Sequence, residues 1–251
     1  MKYHHKIWLL LSIHIAIFTY TIFNKFNILY VILSYILALV FQWLGNECGL
    51  HRLWSHNSYK TTRFKEILLH IFATPLLYGT SLSYSCVHKS HHMYSDTEKD
   101  SHVLTPWWHV ALYIPNKSHE VDQRLCMDLL RDPLHLFIHK HYFTINVLLL
   151  VLFSGILDIY ITGYTLSAIV VYNFIIGGMI NVLGHTKHPS SNKCYETNDN
   201  SLNSKLLQIV TMNQGLHNNH HYKPASWTFA HNKYELDIPG YIIKYYFKRQ
   251  E

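Results

Sequence analysis

Four stretches of the chain are almost wholly apolar, and they come in two pairs. Only a few residues separate the members of each pair, which are residues 7–23 and 28–45, then residues 143–160 and 164–184. Each stretch has about the length that a helix needs to cross the hydrocarbon core of a bilayer. Connections this short make neighbouring helices antiparallel. The pattern therefore predicts an all-α fold with four transmembrane helices in two hairpins.

The apolar stretches admit two other interpretations. A soluble protein with buried helices is one, and a cleaved signal peptide at residues 7–23 is the other. A signal peptide ends in small residues, whereas this stretch continues through Asn24 and Lys25 into a second apolar run. Residues 66–83 are also apolar, but Pro75 and Gly79 interrupt them. An amphipathic helix at the membrane interface is expected there rather than a fifth span.

Hairpins return the chain to the side from which it started. Residues 1–6, 46–142 and 185–251 should therefore share one face of the membrane, within a single domain covering residues 1–251. Of the 21 lysines and arginines, only Lys25 falls in a hairpin tip. The bias of basic residues makes the shared face cytoplasmic, together with both termini. Residues 46–142 and 185–251 are expected to form a helical cap there.

Charge and cysteine content exclude several classes of protein. The net charge of +6 is scattered and accompanies no nucleic-acid motif, so the bilayer is the expected partner and nucleic acid is not. The four cysteines, Cys48, Cys86, Cys126 and Cys194, form no C-x-x-C pair. A disulfide framework or a thiolate zinc site is therefore not expected.

The candidate functional residues are histidines. The chain has 21 of them, and nine fall in four groups on the predicted cytoplasmic face. These nine are His51 and His56, then His88, His91 and His92, then His185, and finally His217, His220 and His221. Six other histidines on that face are expected on the surface or behind the ligands: His102, His109, His135, His139, His141 and His188. Nine imidazoles can thus converge beside the membrane.

The spacing of these groups has a geometric meaning. Positions i, i+3 and i+4 share a helix face, so each H-x-x-H-H triplet can direct three rings to one point. His51 and His56 would point about 140° apart on an ideal helix. They should then bind different metals or lie where the helix ends. Asn181 and His185 are four residues apart, and Asn181 is the candidate to hold a metal-bound water.

The number and type of ligands indicate a pair of metal ions. Imidazole suits iron, copper, zinc and nickel, and nine ligands exceed one coordination sphere. Zinc would serve hydrolysis, but no nucleophile motif such as G-x-S-x-G is present. Two redox-active irons fit better. Metal buffers are typically low-complexity tracts, whereas these groups are short and dispersed.

These groups resemble the histidine boxes of the integral-membrane fatty acyl desaturases, which read H-x4-H, H-x-x-H-H and H-x-x-H-H. GLHRLWSHNSYK (49–60) and HKSHHMYSDTEKDSH (88–102) are similar to the first two boxes well beyond the histidines. HNNHH (217–221) matches the third box, and NVLGH (181–185) the region before it. The resemblance extends over nearly the whole chain.

The resemblance implies a helical membrane protein with a cytoplasmic cap, two iron ions and O2 as cofactors. Its reaction would insert a double bond into a long acyl chain, near the middle as in delta-9-like relatives. The acyl carrier, whether CoA, carrier protein or lipid, stays open. With no haem domain or iron–sulfur pattern in the sequence, the two electrons are expected from a ferredoxin or cytochrome b5 with its reductase.

Other roles and two departures from the family pattern are part of the prediction. The candidate partners of the ligands are Asp96, Asp100, Gln214 and, less directly, Glu98. The candidate headgroup contacts are Arg52, Lys60 and Lys89. Gln214 stands where relatives carry an acid, and Cys86 stands in a stretch that often bears tryptophan.

Three alternative functions stay open. They are a di-iron hydroxylase of the same fold, a non-catalytic metal-binding or carrier protein, and an inactive homologue.

Overall fold

A computed structural model describes residues 3–102, 106–114 and 122–249, with the side chains of residues 3 and 4 excepted. Parts of the predicted cap, residues 103–105 and 115–121, lie outside the described residues, as do both chain ends. The described part is largely helical. Its only sheet is a two-residue antiparallel pair, in which β1 (Ser191–Asn192) faces β2 (Asn203–Ser204).

The first hairpin turns where the sequence predicts, but its second helix runs about ten residues beyond the predicted end at residue 45. Helix α1 spans Tyr3–Asn24 and α2 begins at Ile28. The side chain of Asn27 starts α2 by accepting hydrogen bonds from the backbone N–H groups of Leu29 and Tyr30 at 2.9 and 3.2 Å. Helix α2 (Ile28–Phe41) continues without a break as a π-helical segment, Gln42–Ser55. The second span therefore carries the first histidine group on its own extension.

The second hairpin turns earlier than the sequence predicts. Helix α7 (Pro133–Leu152) runs on through a π-helical segment to Leu157, and α8 (Ile159–Thr162) begins two residues later. The predicted tip at residues 161–163 is wrong because Asp158 ends one helix and caps the next, accepting from the N–H of Tyr160 at 2.7 Å. A further π-helical segment, Gly163–Ser167, joins α8 to α9 (Ala168–Leu183).

Within the described ranges, four helices are long and apolar enough to cross a membrane, which confirms the predicted number of spans. They are His5–Asn24, Ile28–Ser55, Pro133–Leu157 and Ile159–Leu183. Helix α9 packs against both α1 and α2. Large apolar side chains such as Phe23 and Ile156 are 83% and 72% exposed. Exposed apolar surface of this extent is typical of a lipid-facing belt.

The apolar region at residues 66–83 is not one helix. Helix α3 (Arg63–Ala73) ends in a 3₁₀ turn, Thr74–Leu76, and α4 (Ser81–Tyr94) starts after it. The two helices meet at 79°. Pro75 cannot continue a helix, and Gly79 has a φ of +102°, a conformation that favours glycine. Together, α3 and α4 would count as at most one bent span; the interfacial position of α3 stays a prediction.

Short helices complete the cap around a core formed by residues such as Leu50, Trp54 and Leu69. In chain order these helices are α5 (Trp107–Ala111), α6 (Met127–Leu130) after a 3₁₀ turn at Gln123–Cys126, α10 (Lys205–Thr211), α11 (His217–Tyr222) and α12 (Ile238–Ile242), which continues as a π-helical segment, Ile243–Phe247. Helix α12 packs on the π-helical end of the second span.

Candidate metal centre

All nine predicted ligand histidines lie in two neighbouring clusters. The five-histidine cluster contains His51, His56, His88, His92 and His220, and the four-histidine cluster contains His91, His185, His217 and His221. Within each cluster, one nitrogen of every ring lies within 4.8 Å of the others. Metal–imidazole bonds are about 2.1 Å long, so each cluster has the size that one ion requires.

The π-helical segment explains the five-residue spacing of the first histidine group. In a π-helix, residue i+5 bonds back to residue i, and the N–H of His56 donates to the carbonyl of His51 at 3.1 Å. The two residues thus lie one above the other where the helix ends, in the same cluster. The sequence predicts either that His51 and His56 bind different metals or that they lie where the helix ends. The structure agrees with the second arrangement, because both residues belong to one cluster.

The two H-x-x-H-H triplets do not each point to one site. On α4, His88 and His92 belong to the five-histidine cluster and His91 to the other. On α11, His220 belongs to the five-histidine cluster, whereas His217 and His221 belong to the four-histidine cluster. The prediction of one common point per triplet is therefore corrected. Each triplet bridges the two clusters and fixes their separation.

A capping box sets the start of α4 and hence the placement of its histidines. The hydroxyl of Thr80 accepts from the N–H of Ser83 at 3.2 Å, and the hydroxyl of Ser83 accepts from the N–H of Thr80 at 2.9 Å. This reciprocal pair satisfies N–H groups that the first helical turn leaves unbonded.

Two asparagines hold α11 in place. Asn218 accepts from the N–H groups of Cys194 and Tyr195 at 2.8 and 2.7 Å. Asn219 donates to the carbonyl of Phe229 at 2.9 Å. The preceding Gly215 passes so close to the chain at Ser204 that an added Cβ would lie 2.3 Å from its carbonyl oxygen. The sequence HNNHH thus places two anchoring asparagines between candidate ligands.

Carboxylates fix the orientation of four of the rings. The Nδ1 of His91 donates to Asp100 at 2.9 Å, that of His185 to Asp96 at 3.1 Å, and that of His221 to Asp199 at 2.8 Å. In the other cluster, His51 donates to Glu47 at 3.3 Å. A ring that donates through Nδ1 presents a lone pair at Nε2.

The Nε2 atoms of the ligand rings converge within each cluster. The Nε2 atoms of His185 and His217 are 2.9 Å apart, and those of His51 and His220 are 3.0 Å apart. The Nε2 of His221 is buried without a hydrogen-bond partner. A ring whose Nδ1 donates to a carboxylate keeps a lone pair on Nε2 directed at its cluster, and each cluster contains at least one such ring, so the residues present fit a metal in each cluster.

The titration behaviour of the site also suits metal binding. Burial, reinforced by the neighbouring histidines, lowers the pKa of His217, His220 and His221 well below the usual value. They are therefore neutral near pH 7, which is the form that binds metals. Burial alone would raise the pKa of Asp100, but the hydrogen bond and charge of His91 outweigh it and lower the pKa to about 2.

Gln214 takes part in a buried network centred on Glu47. The carboxylate of Glu47 is fully buried and accepts from the side-chain amides of Asn46 at 2.9 Å, Asn213 at 3.0 Å and Gln214. The acid expected at position 214 is therefore absent, but Glu47 supplies a carboxylate in contact with that position. The same carboxylate orients His51.

The structure argues against the headgroup role predicted for Arg52. Its side chain is fully buried, and its guanidinium donates to both oxygens of Asp237 at 2.9 and 2.8 Å and to Glu47 at 3.4 Å. Lys89 donates to the carbonyl of Leu125 at 2.9 Å. Lys60 is exposed, as the headgroup prediction requires, and for Lys60 the role stays a prediction.

The remaining expectations are met unevenly. His102 packs beside His91, with ring centroids 5.0 Å apart, and Glu98 is exposed. His135 is buried and 2.7 Å from the hydroxyl of Ser81, so it is not a surface residue. All four cysteines are free thiols, and Cys86 and Cys126 are both buried.

A cavity of about 380 Å³ leads from between the spans to both clusters. Its membrane end is lined by apolar residues such as Leu11, Val170 and Phe174, and its inner end by His51, His91 and other ligands. Asn181 and Gln214 also line it. A cavity with an apolar body and a polar, metal-binding end fits a long apolar substrate.

Sequence reasoning missed Glu47, Asp199 and Asp237. Glu47 is four residues before His51, a helical spacing that could have identified it. Asp199 and Asp237 lie in irregular chain, 22 and 185 residues from the side chains that they bind. No local pattern indicates such partners.

Comparison with known proteins agrees with this geometry. A family model described as fatty acid desaturase matches residues 26–237. The sn-1 stearoyl-lipid 9-desaturase of Anabaena variabilis is 26% identical over 225 residues, covering 82% of this chain and 78% of that protein. A Delta(9)-fatty-acid desaturase of Caenorhabditis elegans is 28% identical over 204 residues, covering 75% of this chain. A probable acyl-CoA desaturase of Schizosaccharomyces pombe is 28% identical over 213 residues, covering 80% of this chain.

The matches cover 59% of the nematode protein and 44% of the yeast protein. The chain thus spans less than two thirds of these two relatives. The family model nevertheless covers most of the chain, including every histidine of the two clusters. The chain belongs to the fatty acid desaturase family.

Proposed function

We propose that this protein is an O2-dependent di-iron desaturase that introduces a cis double bond into a long acyl chain. The observation that carries the proposal is the position of two histidine clusters at the inner end of an apolar cavity that opens between the spans. The relatives named above as 9-desaturases favour a bond near the middle of the chain.

In this proposal each cluster holds one iron ion, and the water beside the four-histidine cluster is held by Asn181. Iron is preferred because removing hydrogen from an unactivated methylene needs an oxidant that no side chain supplies; the metal pair with O2 would supply it. The protein's own residues orient the ligands through Asp96, Asp100, Asp199 and Glu47. The apolar lining of the cavity, including Leu11, Val170 and Phe174, excludes water from the part that would hold the acyl chain.

The overall reaction balances with an external reductant. One CH2–CH2 unit and O2, together with two electrons and two protons, give one CH=CH unit and two water molecules. Substrate electrons and donor electrons together reduce O2. A one-electron carrier such as a ferredoxin or cytochrome b5 would be oxidised twice for each double bond.

The substrate enters from the membrane, where acyl chains are already dissolved. The acyl carrier is a lipid in the name of one relative and CoA in that of another; a lipid, CoA or carrier-protein head would each stay outside the apolar cavity. The clusters lie at the end of the spans away from Lys25, the lysine of the first hairpin tip. The distribution of basic residues supports a cytoplasmic position for that face.

Expression in a bacterium of simple fatty acid composition, with iron supplied, tests the proposal. We expect a new unsaturated acyl species, located by double-bond analysis, that disappears in His91→Ala but persists in His141→Ala. An alcohol in place of an alkene would show a hydroxylase instead. A folded protein that carries two irons, receives electrons from a chemical reductant and forms no product would contradict both.

A further inference from the structure

A basic, tyrosine-rich surface covers the end of the chain where α12 packs on the second span. We name the exposed cations Lys60, Lys244, Lys248 and Arg249 the basic patch. The patch is continuous, because the N–H of Arg249 donates to the carbonyl of Lys60 at 2.8 Å. Tyr245 and Tyr246, between the lysines, are 66% and 70% exposed.

The carboxylates of the surrounding segment, residues 222–249, do not neutralise this surface. Asp237 is buried in its ion pair with Arg52. Glu235 accepts from the side-chain amide of Asn219 at 3.0 Å and from the N–H of His231 at 2.6 Å. Both carboxylates are thus engaged inside the fold, and the lysines keep their positive field.

A surface pocket of about 250 Å³ lies in the same surface. Trp227, Tyr241 and Lys244 are among its walls. The ammonium group of Lys248 lies 5.6 Å from the centre of the Trp227 ring. The basic patch therefore frames a concave site with aromatic side chains.

Behind this pocket, a short chain of contacts reaches the five-histidine cluster. The carbonyl of Trp227 accepts from the guanidinium of Arg52 at 2.9 Å. The Arg52 guanidinium lies 3.7 Å from the centre of the Phe229 ring. That ring is 4.5 Å from His220 and 5.4 Å from His51, centroid to centroid. Three residues thus join the surface to two candidate ligands.

We infer that the basic patch and its pocket are the docking surface for a small acidic one-electron carrier protein. The inference rests on the proposed function, which needs two external electrons per double bond. An acidic carrier matches the charge of the patch, and charge complementarity accelerates association. Each docked carrier would be oxidised by one electron, and the ferric ion that His220 and His51 would hold would be reduced by it; the contacts of Trp227, Arg52 and Phe229 give the path.

A lipid surface is the competing occupant, because lysine and tyrosine are also common at membrane interfaces. Two observations favour the carrier. The concave aromatic pocket provides a surface on which a protein can dock, and the packed path from that pocket to the metal centre suits electron transfer. Electrostatic binding of a lipid headgroup requires neither feature.

Binding measurements test the inference independently of desaturation. The full chain, loaded with iron, is placed in nanodiscs of zwitterionic lipid. Two soluble probes are used, a plant-type [2Fe–2S] ferredoxin and the haem domain of cytochrome b5. We expect at least one probe to bind, and its affinity to fall about tenfold in the double variant Lys244→Glu/Lys248→Glu. Salt should weaken wild-type binding as the charges become screened.

Lys25→Glu, at the opposite end of the spans, is the matched charge control and should bind like the wild type. Lys244→Arg/Lys248→Arg should restore binding. Iron content and melting temperature verify that each variant is folded. Phe229→Leu should keep the wild-type affinity for the probe but lose rate in stopped-flow reduction of the iron centre by that probe.

Three outcomes would overturn the inference: neither probe binds the wild type, the double charge reversal binds like the wild type, or only a labelled anionic lipid responds to the reversal. None of these outcomes depends on product formation. Conversely, if a probe binds at the basic patch but no alkene or alcohol forms, the proposed function fails and the docking surface stands.

Discussion

At the scale of single residues, Glu47 and Gln214 form a pair whose chemistry can be exchanged. Gln214→Glu alone would put two carboxylates in contact in a buried site, and Glu47→Gln alone would leave Arg52 with one carboxylate fewer. We expect each single variant to lose about 1–3 kcal/mol of stability. The double exchange restores one acid and one amide, so it should recover about 0.5–3 kcal/mol relative to the sum.

Thermal unfolding of the four proteins in one detergent measures this coupling. Glu196→Gln, at an exposed carboxylate, is the control and should change stability little. Strictly additive losses in the double variant would show that Glu47 and Gln214 do not interact, and the account of position 214 would then be wrong.

Asp199 gives a second prediction at this scale. It accepts from Nδ1 of His221 at 2.8 Å and so holds that ring with Nε2 toward the four-histidine cluster. Removing such a partner typically weakens metal affinity by about 10–100-fold, and we expect a loss in this range for Asp199→Asn. Competition with a chelator measures it. Asp122→Asn, at an exposed carboxylate paired with Arg124, should leave the metal affinity unchanged.

At the scale of helices, α11 should be the acid-sensitive element of the metal-free protein. Burial and neighbouring histidines lower the pKa of His217, His220 and His221 in the folded state. The unfolded chain takes up protons below about pH 6.5, where the folded helix stays neutral. The stability contributed by these histidines is present above that pH and is lost as the pH falls further.

Hydrogen exchange of the chelated protein at pH 7.5 and pH 5 checks this, after correction for the intrinsic pH dependence of exchange. Protection should fall in α11 and remain in α10, which carries no histidine. Equal loss in both helices would mean that the three histidines do not set the local stability.

The predictability of the elements follows from what determines them. Apolar length alone predicts the four spans, because a bilayer crossing has a fixed thickness. The second tip was displaced because a single residue, Asp158, ends one helix and starts another. The π-helical course of Gln42–Ser55 has no signature in the apolar pattern, so the shared cluster of His51 and His56 could not be deduced from spacing on an ideal helix.

At the scale of the whole molecule, the nine candidate ligands could be predicted but their partition could not. The partition depends on how four chain regions meet: the end of the second span, α4, the chain after α9, and α11. Asp199 and Asp237 are bound to their partners only through this assembly. Composition and motif therefore identify the chemistry, whereas long-range packing decides which ring serves which cluster.

The unequal clusters lead to a prediction about metal content. Removing one ring from the five-histidine cluster leaves four nitrogens, which still suffice for one ion, whereas removing one from the four-histidine cluster leaves three. We expect His56→Ala to retain close to the wild-type metal content and His217→Ala to fall to about half of it. Metal analysis of purified protein, with His141→Ala as control, measures this.

Metal loss should also affect the entire fold, because α4 and α11 each contribute to both clusters, and the two clusters together join the end of the second span to the chain after α9. An ion whose free concentration is about 100 times its dissociation constant stabilises the folded state by about 2.7 kcal/mol. Chelation should therefore lower the melting temperature in a single transition, and the shift should be smaller in His217→Ala, which has one ion fewer to lose. Equal shifts in His217→Ala and His56→Ala would contradict the partition into clusters of five and four.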